Sequence, residues 1–290
     1  MAEGGGVAPP SEAIRGRGKG TMTSAIAIVV AIIAFLAGLG AGYFIYSTPA
    51  AKAKLTVATN VPFPPFESYN DTLGRFVGFD IDIASLIANA TGRQLVVRNF
   101  DNFDLLLTTV GNGGVDMAAS GITMSGTQGA KRNLTMSFSN PYYNANQAVI
   151  TLAGDTTTCP NNVCDQSELG NKTIGVQSGT TSEGWVDTNI KPFDPNNATD
   201  IHRYGSVTTE LQELKNGVYE FMIIDAGPAA NIVSGSSSTL KLLGTIITNE
   251  LYGFAVAKGD PQSLVPSINT VLAQIKASGV YDQLLAKWFK

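Results

Sequence analysis

The chain has 290 residues, 44% apolar and 14% charged, with a net charge of −4 at neutral pH. That length suits two lobes of ordinary size plus a tail better than one small core, and the acidic balance lacks the basic face of a nucleic-acid binder. Two cysteines and a single histidine cannot build a four-ligand zinc site.

Residues 1–20 are rich in Gly, Pro and Ser and carry Arg15, Arg17 and Lys19, the composition of a disordered tail. No charged residue occurs from Thr21 to Pro49. Residues 21–46 are therefore expected to be a transmembrane anchor: Ser24–Tyr46 as a helix would measure about 34 Å, enough to cross a bilayer with some tilt. Tyr43 and Tyr46 stand where interfacial aromatics lie. The basic tail before the span favours an extracytoplasmic C-terminal part, although Lys52 and Lys54 beyond it blunt that asymmetry. A cleaved signal peptide is the rival reading, but its apolar core is usually shorter.

Residues 47–54 read as a linker, and β and α signals alternate after it. LTVAT (55–59) is a strand, and Phe79, Ile83, Leu86, Ile87 and Ala90 mark a helix stopped by Gly92. LVVRNF (95–100) is a strand, Phe103, Leu106, Leu107 and Val110 give a helix, and VDMAAS (115–120) is a strand. A second set follows. TIGVQ (173–177) is a strand leading into the helix SEGWVDTN, TTELQELKNG (208–217) is a helix, and YEFMIID (219–225) is a buried strand. LYGFAVAKGD (251–260) is a strand before a helix from Leu264 to Ile275, and YDQLLAKWF closes the chain. This alternation predicts α/β architecture with mostly parallel sheets covered by helices.

Cys159 and Cys164 lie in the run CPNNVC and form either a local disulfide or a pair of free thiols. Sequons at Asn70, Asn89, Asn133, Asn171 and Asn197 are possible glycosylation sites. Together with the apolar span they point to an exported domain, where a disulfide is the expected state.

Ligands in open α/β sheets bind beyond the carboxyl ends of strands. Those positions hold Asn60 and Phe63 after the first strand, and Ser120, Gly121 and Thr123 after the third. SGTTSE follows TIGVQ, and Asp225 ends YEFMIID. No Ser or Cys is partnered with His, and neither G-x-S-x-G nor a phosphate loop occurs, so a binding site is expected rather than a catalytic one. It needs an acid for an ammonium, a guanidinium for a carboxylate, small polar donors and an apolar wall.

The runs VATNVPFPPFE, GRFVGFDIDIASLIA, FDLLL, VDMAASGIT and MSFSNPYY, followed by TIGVQSGTTSE, MIID and YGFAVAKGDPQSLVPSINTVLAQIKASGVYDQLLAKWF, resemble the polar amino-acid-binding solute receptors of ABC importers, the bacterial extracellular solute-binding proteins of family 3. The resemblance covers residues 55–290. It implies a two-lobe periplasmic-binding-protein-like fold of type 2, with two hinge strands joining lobe 1 (55–149 and 254–290) to lobe 2 (150–253). The lobes would close over a free amino acid and present it to permease subunits in the membrane, with no cofactor, metal or catalysis.

Residue by residue, the resemblance makes Phe63 and Phe103 aromatic walls, although Phe103 also fits its helix's core stripe. Ser120, Gly121 and Thr123 become the strip that holds the ligand's main-chain groups, and Asp225 the partner of its ammonium, unless it only caps the next helix. Thr180 and Thr181 become donors to the carboxylate, with Thr181 alternatively an N-cap, and Gln177 faces the cleft. The clamp arginine falls on Gln128 counted forward from Thr123 and on Arg132 counted back from FSNPYY. Arg132 is thus expected after a four-residue insertion within SGTQGA, with Lys131 in reserve. Asn60 stands where members that bind cationic side chains often carry Asp, so a neutral polar ligand, glutamine first, is expected. The alternatives are a sensor ectodomain and a dehydratase on the same fold.

Overall fold

The computed structural model describes residues 52–193 and 199–289. The expected membrane span, the tail and Asn197 lie outside them. Among the described residues no helix is long and apolar enough to cross a membrane.

The first lobe is built on a five-stranded sheet of order β4-β1-β5-β12-β6. Its strands are β1 (Lys54–Thr59), β4 (Gln94–Asn99), β5 (Met117–Ala118), β6 (Met136–Phe138) and β12 (Ala255–Ala257). β1 runs parallel to β4 and β5, whereas β12 is antiparallel to β5 and β6. A hairpin of β2 (Ser68–Asn70) and β3 (Arg75–Val77) precedes helix α1 (Phe79–Ala90). Helix α2 (Phe103–Gly111) is capped by Asn102, whose side chain accepts from the Leu105 amide. A short helix, α3 (Gly126–Arg132), separates β5 from β6.

The second lobe has the order β11-β7-β10-β8-β9: β7 (Tyr143–Leu152), β8 (Thr173–Gln177), β9 (Asp200–Tyr204), β10 (Phe221–Asp225) and β11 (Leu240–Tyr252). Helices α4 (Gln166–Leu169), α5 (Thr181–Asn189), α6 (Val207–Lys215) and α7 (Ala226–Ser234) belong to it. From β11 the chain returns through β12 to α8 (Leu264–Ala277) and α9 (Val280–Trp288) of the first lobe.

Each sheet is half parallel and half antiparallel, not mostly parallel as the alternation predicts. The cause is the double passage between lobes. Strands that enter a sheet from the other lobe need no helical crossover to reverse direction, and they pair antiparallel. The expected strand 115–120 shrinks to Met117–Ala118, and the expected strand 251–260 splits at Gly253 into the end of β11 and β12.

Both sheets are covered on both faces. In β10, Phe221 and Ile223 enter one apolar core of the second lobe while Met222 and Ile224 enter the other, the period-two consequence of the pleat. In the first lobe, Leu55 and Val57 pack with α1 and α8 on one face, and Ala58 and Ala118 with α2 on the other. Phe66 is the hub of the first of these. It is fully buried, with the rings of Tyr143, Tyr252 and Phe289 at 4.9, 5.2 and 5.2 Å. Phe66→Ala is expected to cost about 3–5 kcal/mol of stability, measured as a fall in the urea midpoint at unchanged slope.

Cys159 and Cys164 form a disulfide, and Val163 between them bridges Thr245 of β11, so the loop is fastened to a strand that joins the lobes. Of the sequon asparagines, Asn89 and Asn171 are exposed, Asn70 closes a turn by accepting from the Leu73 amide, and Asn133 is half-buried at the end of α3.

Candidate ligand-binding cleft

The carboxyl ends of β1, β5, β8 and β10 deliver Asn60, Ser120, Gln177 and Asp225 to one region between the lobes, and all four are buried. The joining strands β7 and β11 add Gln147 and Glu250. Thr123 pairs with Tyr252 in an antiparallel bridge, and Gly253 N–H donates to the Ile122 carbonyl, which fixes the strip 120–123 against the crossover.

Arg132, the last residue of α3, is buried. Its Nη1 donates to the Thr123 carbonyl at 2.8 Å and its Nη2 to the Gly179 carbonyl of the second lobe at 2.9 Å. The guanidinium lies 5.5 Å from the centre of the Phe103 ring. Burial lowers its pKa to about 10 against the opposing pull of Glu250 and Asp225, so it stays cationic at neutral pH. Lys131, the alternative clamp, is exposed. Phe103 belongs to the core, as its helix's apolar stripe implies, and presents its face to Arg132.

Asp225 occupies the N-cap position of α7 but makes no side-chain cap bond. Its Oδ1 instead accepts from the Tyr252 hydroxyl at 2.5 Å and from Gln147 Nε2 at 3.0 Å. The same Nε2 donates to Glu250 Oε1 at 2.9 Å and lies 3.1 Å from Thr181 Oγ1. Glu250 Oε2 accepts from the Thr123 hydroxyl at 2.7 Å. Burial, and then the neighbouring Glu250 charge, push the Asp225 carboxyl up to about 8, with Tyr252 and Arg132 pulling the other way.

Beneath the first-lobe strip lie two further buried acids. Ser120 Oγ donates to Glu67 Oε1 and accepts from the Asn60 amide, and Gly121 N–H donates to Asp80 Oδ2. Asp80 also accepts from Tyr142, yet burial carries its carboxyl to about 7. Glu67 is pushed well above the usual range, by burial and then by Asp80. Among the described residues Glu67 Oε2 and Asp80 Oδ1 find no hydrogen-bond partner, which an un-ionised carboxyl tolerates better than a carboxylate.

The lobes meet directly. Gln177 Nε2 donates to Asn60 Oδ1 at 2.9 Å, and Gln128 Nε2 to the Thr180 carbonyl at 3.0 Å. Phe63 is half-buried and packs against apolar cores of both lobes. Thr180, not Thr181, is the N-cap of α5: its hydroxyl takes the Glu183 amide and donates to the Gln177 carbonyl. The Thr181 side chain is left facing Gln147.

Sequence reasoning missed Glu67, Asp80, Gln147, Glu250 and Tyr252. Glu250 carried a signal, as an acid within the strand-forming run LKLLGTIITNELY. Gln147 carried none, because a glutamine in a strand reads as a solvent-facing position.

A family model for bacterial extracellular solute-binding proteins, family 3, matches residues 55–290. The chain belongs to this family. The family match also places the domain outside the cytoplasm. A probable histidine-binding protein of Neisseria gonorrhoeae is 31% identical over 235 residues, 80% of this chain and 82% of that one. Among solved structures, an ancestral arginine-binding protein bound to glutamine superposes with a TM-score of 0.72 at 30% identity, covering 82% of this chain and 98% of the other. An ancestral amino acid-binding protein, AncCDT-1, a precursor of cyclohexadienyl dehydratase, gives 0.68 at 29% identity over 82% and 96%. For this family 3 chain, the two-lobe periplasmic-binding-protein-like fold is thus shared with proteins whose names state amino-acid binding.

Proposed function

We propose that this chain is the receptor of an amino-acid ABC importer, tethered by residues 21–46, which captures a free α-amino acid between its lobes and hands it to permease subunits. The carrying observation is a buried cation and a buried acid, Arg132 and Asp225, that feel each other's charge across one cleft between two lobes. A zwitterion is complementary to that pair. Arg132 takes the carboxylate as a fork, Asp225 takes the ammonium, and Ser120, Gly121, Thr123 and Thr181 supply small polar contacts. Phe63 and Phe103 wall the ligand.

The amides of Asn60 and Gln177 support a neutral polar side chain, with glutamine first, and an arginine-binding relative takes glutamine. A second reading rests on Glu250. Once a ligand's ammonium has drawn Asp225 into its carboxylate form, a second buried acid, Glu250, still faces the single arginine and can take a cationic side chain. Thermal unfolding with each common amino acid in turn separates the two. A ligand at about 100 times its Kd adds about 2.7 kcal/mol and raises the midpoint by several degrees. A shift with glutamine but not arginine or histidine supports the first reading, the reverse supports the second, and no shift with any amino acid removes both. A carboxyl raised to about 8 is also suited to general acid work, so turnover of a cyclohexadienyl acid is measured alongside, and turnover would establish an enzyme instead.

A further inference from the structure

Two donors one turn apart on α3 reach consecutive carbonyls of the second lobe. Arg132 Nη2 bonds the Gly179 oxygen and Gln128 Nε2 the Thr180 oxygen, just where α5 begins. Arg132 already has a place in the cleft. Gln128 has no role in the proposed ligand contacts: its side-chain hydrogen bond crosses between the lobes.

The second lobe is shaped to receive it. Gly184 lies inside α5 with an ordinary helical backbone, where glycine weakens a helix for no conformational return. A Cβ at Gly184 would lie 2.6 Å from Gln128 Nε2 and 2.9 Å from both Cδ and Cγ. The bare backbone is thus the socket into which the glutamine side chain fits. Gln128 also lines two cavities, of about 260 and 320 Å³. One runs toward Glu250 and Trp185, the other toward Asp104 and Thr108. The side chain therefore stands as a partition between them at the seam of the lobes.

We propose that Gln128 is a positioning residue that latches the lobes in the closed state, with Gly184 as its socket, so that this contact sets how long a ligand stays and not which ligand is chosen. The inference rests on the receptor reading above. In the open state Gln128 and the Thr180 carbonyl both return to water, so the bond counts only toward closure. A neutral hydrogen bond is worth roughly two- to tenfold in an equilibrium constant.

Stopped-flow release of the bound amino acid is the test, on the full chain, with Gln128→Ala, Gly184→Ala and the double variant. Gln128→Ala is expected to speed release about two- to tenfold for every ligand alike, with association unchanged. Gly184→Ala is expected to raise the melting midpoint of the unliganded chain, because it improves α5, while also speeding release. Opposite signs on those two readouts are not what a merely structural role produces. In the Gln128→Ala background Gly184→Ala should no longer affect release, since the collision is gone. Unchanged release in Gln128→Ala, or effects that multiply independently in the double variant, would overturn the latch. Amide hydrogen exchange over residues 178–190 of the unliganded protein gives an arm that needs no ligand: the latch requires the unliganded chain to visit the closed form part of the time, and Gln128→Ala should then expose this segment more often. If the wild-type chain binds no amino acid, the receptor reading fails while the exchange arm still decides the latch.

Discussion

Arg132→Ala is expected to weaken amino-acid binding by about 100-fold or more, and Asp225→Asn by a similar factor, in isothermal titration. Truncating one partner of a buried, hydrogen-bonded charge pair costs roughly 2–5 kcal/mol, most of it from the charge left unpaired. Both residues are buried, so no solvent replaces the missing group. Without Arg132 a ligand carboxylate would face Asp225 and Glu250 with no counter-charge. Asp225→Asn keeps the shape and can still accept from Tyr252, but it cannot balance an ammonium. The variants must also be shown to fold, since Arg132 braces the Thr123 carbonyl and stacks on Phe103. An Arg132→Ala protein that folds and binds with wild-type affinity would remove Arg132 as the clamp, and Lys131, exposed on the same helix, would be the next position to change.

A second large effect is expected on pH. In the unliganded fold, burial raises the carboxyls of Asp80 to about 7 and Asp225 to about 8, and those of Glu67 and Glu210 well above their usual range. Each holds a proton in the fold that it would release when unfolded. Their stabilising contribution is full below the ordinary carboxylate pKa, about 4, and is lost as pH rises through the folded values. The melting midpoint of the unliganded protein is therefore expected to fall between pH 5 and 8. Asp165 and Glu220, whose carboxyls are lowered, act below the ordinary range and do not offset this.

Ligand binding has the opposite dependence. An ammonium beside Asp225 favours the carboxylate, so binding releases the proton, and affinity is expected to rise by up to about tenfold per pH unit toward pH 8. Titration in buffers of different ionisation enthalpy counts that proton, and Asp225→Asn should erase the slope. A Kd that is flat from pH 5.5 to 7.5 would mean that Asp225 is not the ammonium's partner.

The primary sequence by itself settled much of this protein. Period-3.6 and period-2 patterns located α1, α2, α6, α8, β1, β8 and β10, because these elements bury a face or both faces and must spell it in apolar residues. The cysteine pair and the strand-end positions of Asn60, Ser120, Gln177 and Asp225 were equally legible, since strand ends are where an α/β sheet leaves side chains free for a ligand. Counting back from FSNPYY pointed to Arg132, which is buried.

Tertiary structure alone decided the rest. Whether β12 lies parallel or antiparallel to β5 depends on where the chain re-enters the lobe, which no local pattern records. Gln147 and Glu250 become cleft residues only because β7 and β11 pair in the register Gln147↔Ile246 and Ala145↔Glu250 and run on toward the other lobe. Whether Thr180 or Thr181 caps α5 was decided by where the helix starts, a matter of one residue. The Gln128–Gly184 fit joins segments of two lobes, because sequence dictates what each segment must bury and only the tertiary packing dictates which segments share the burial.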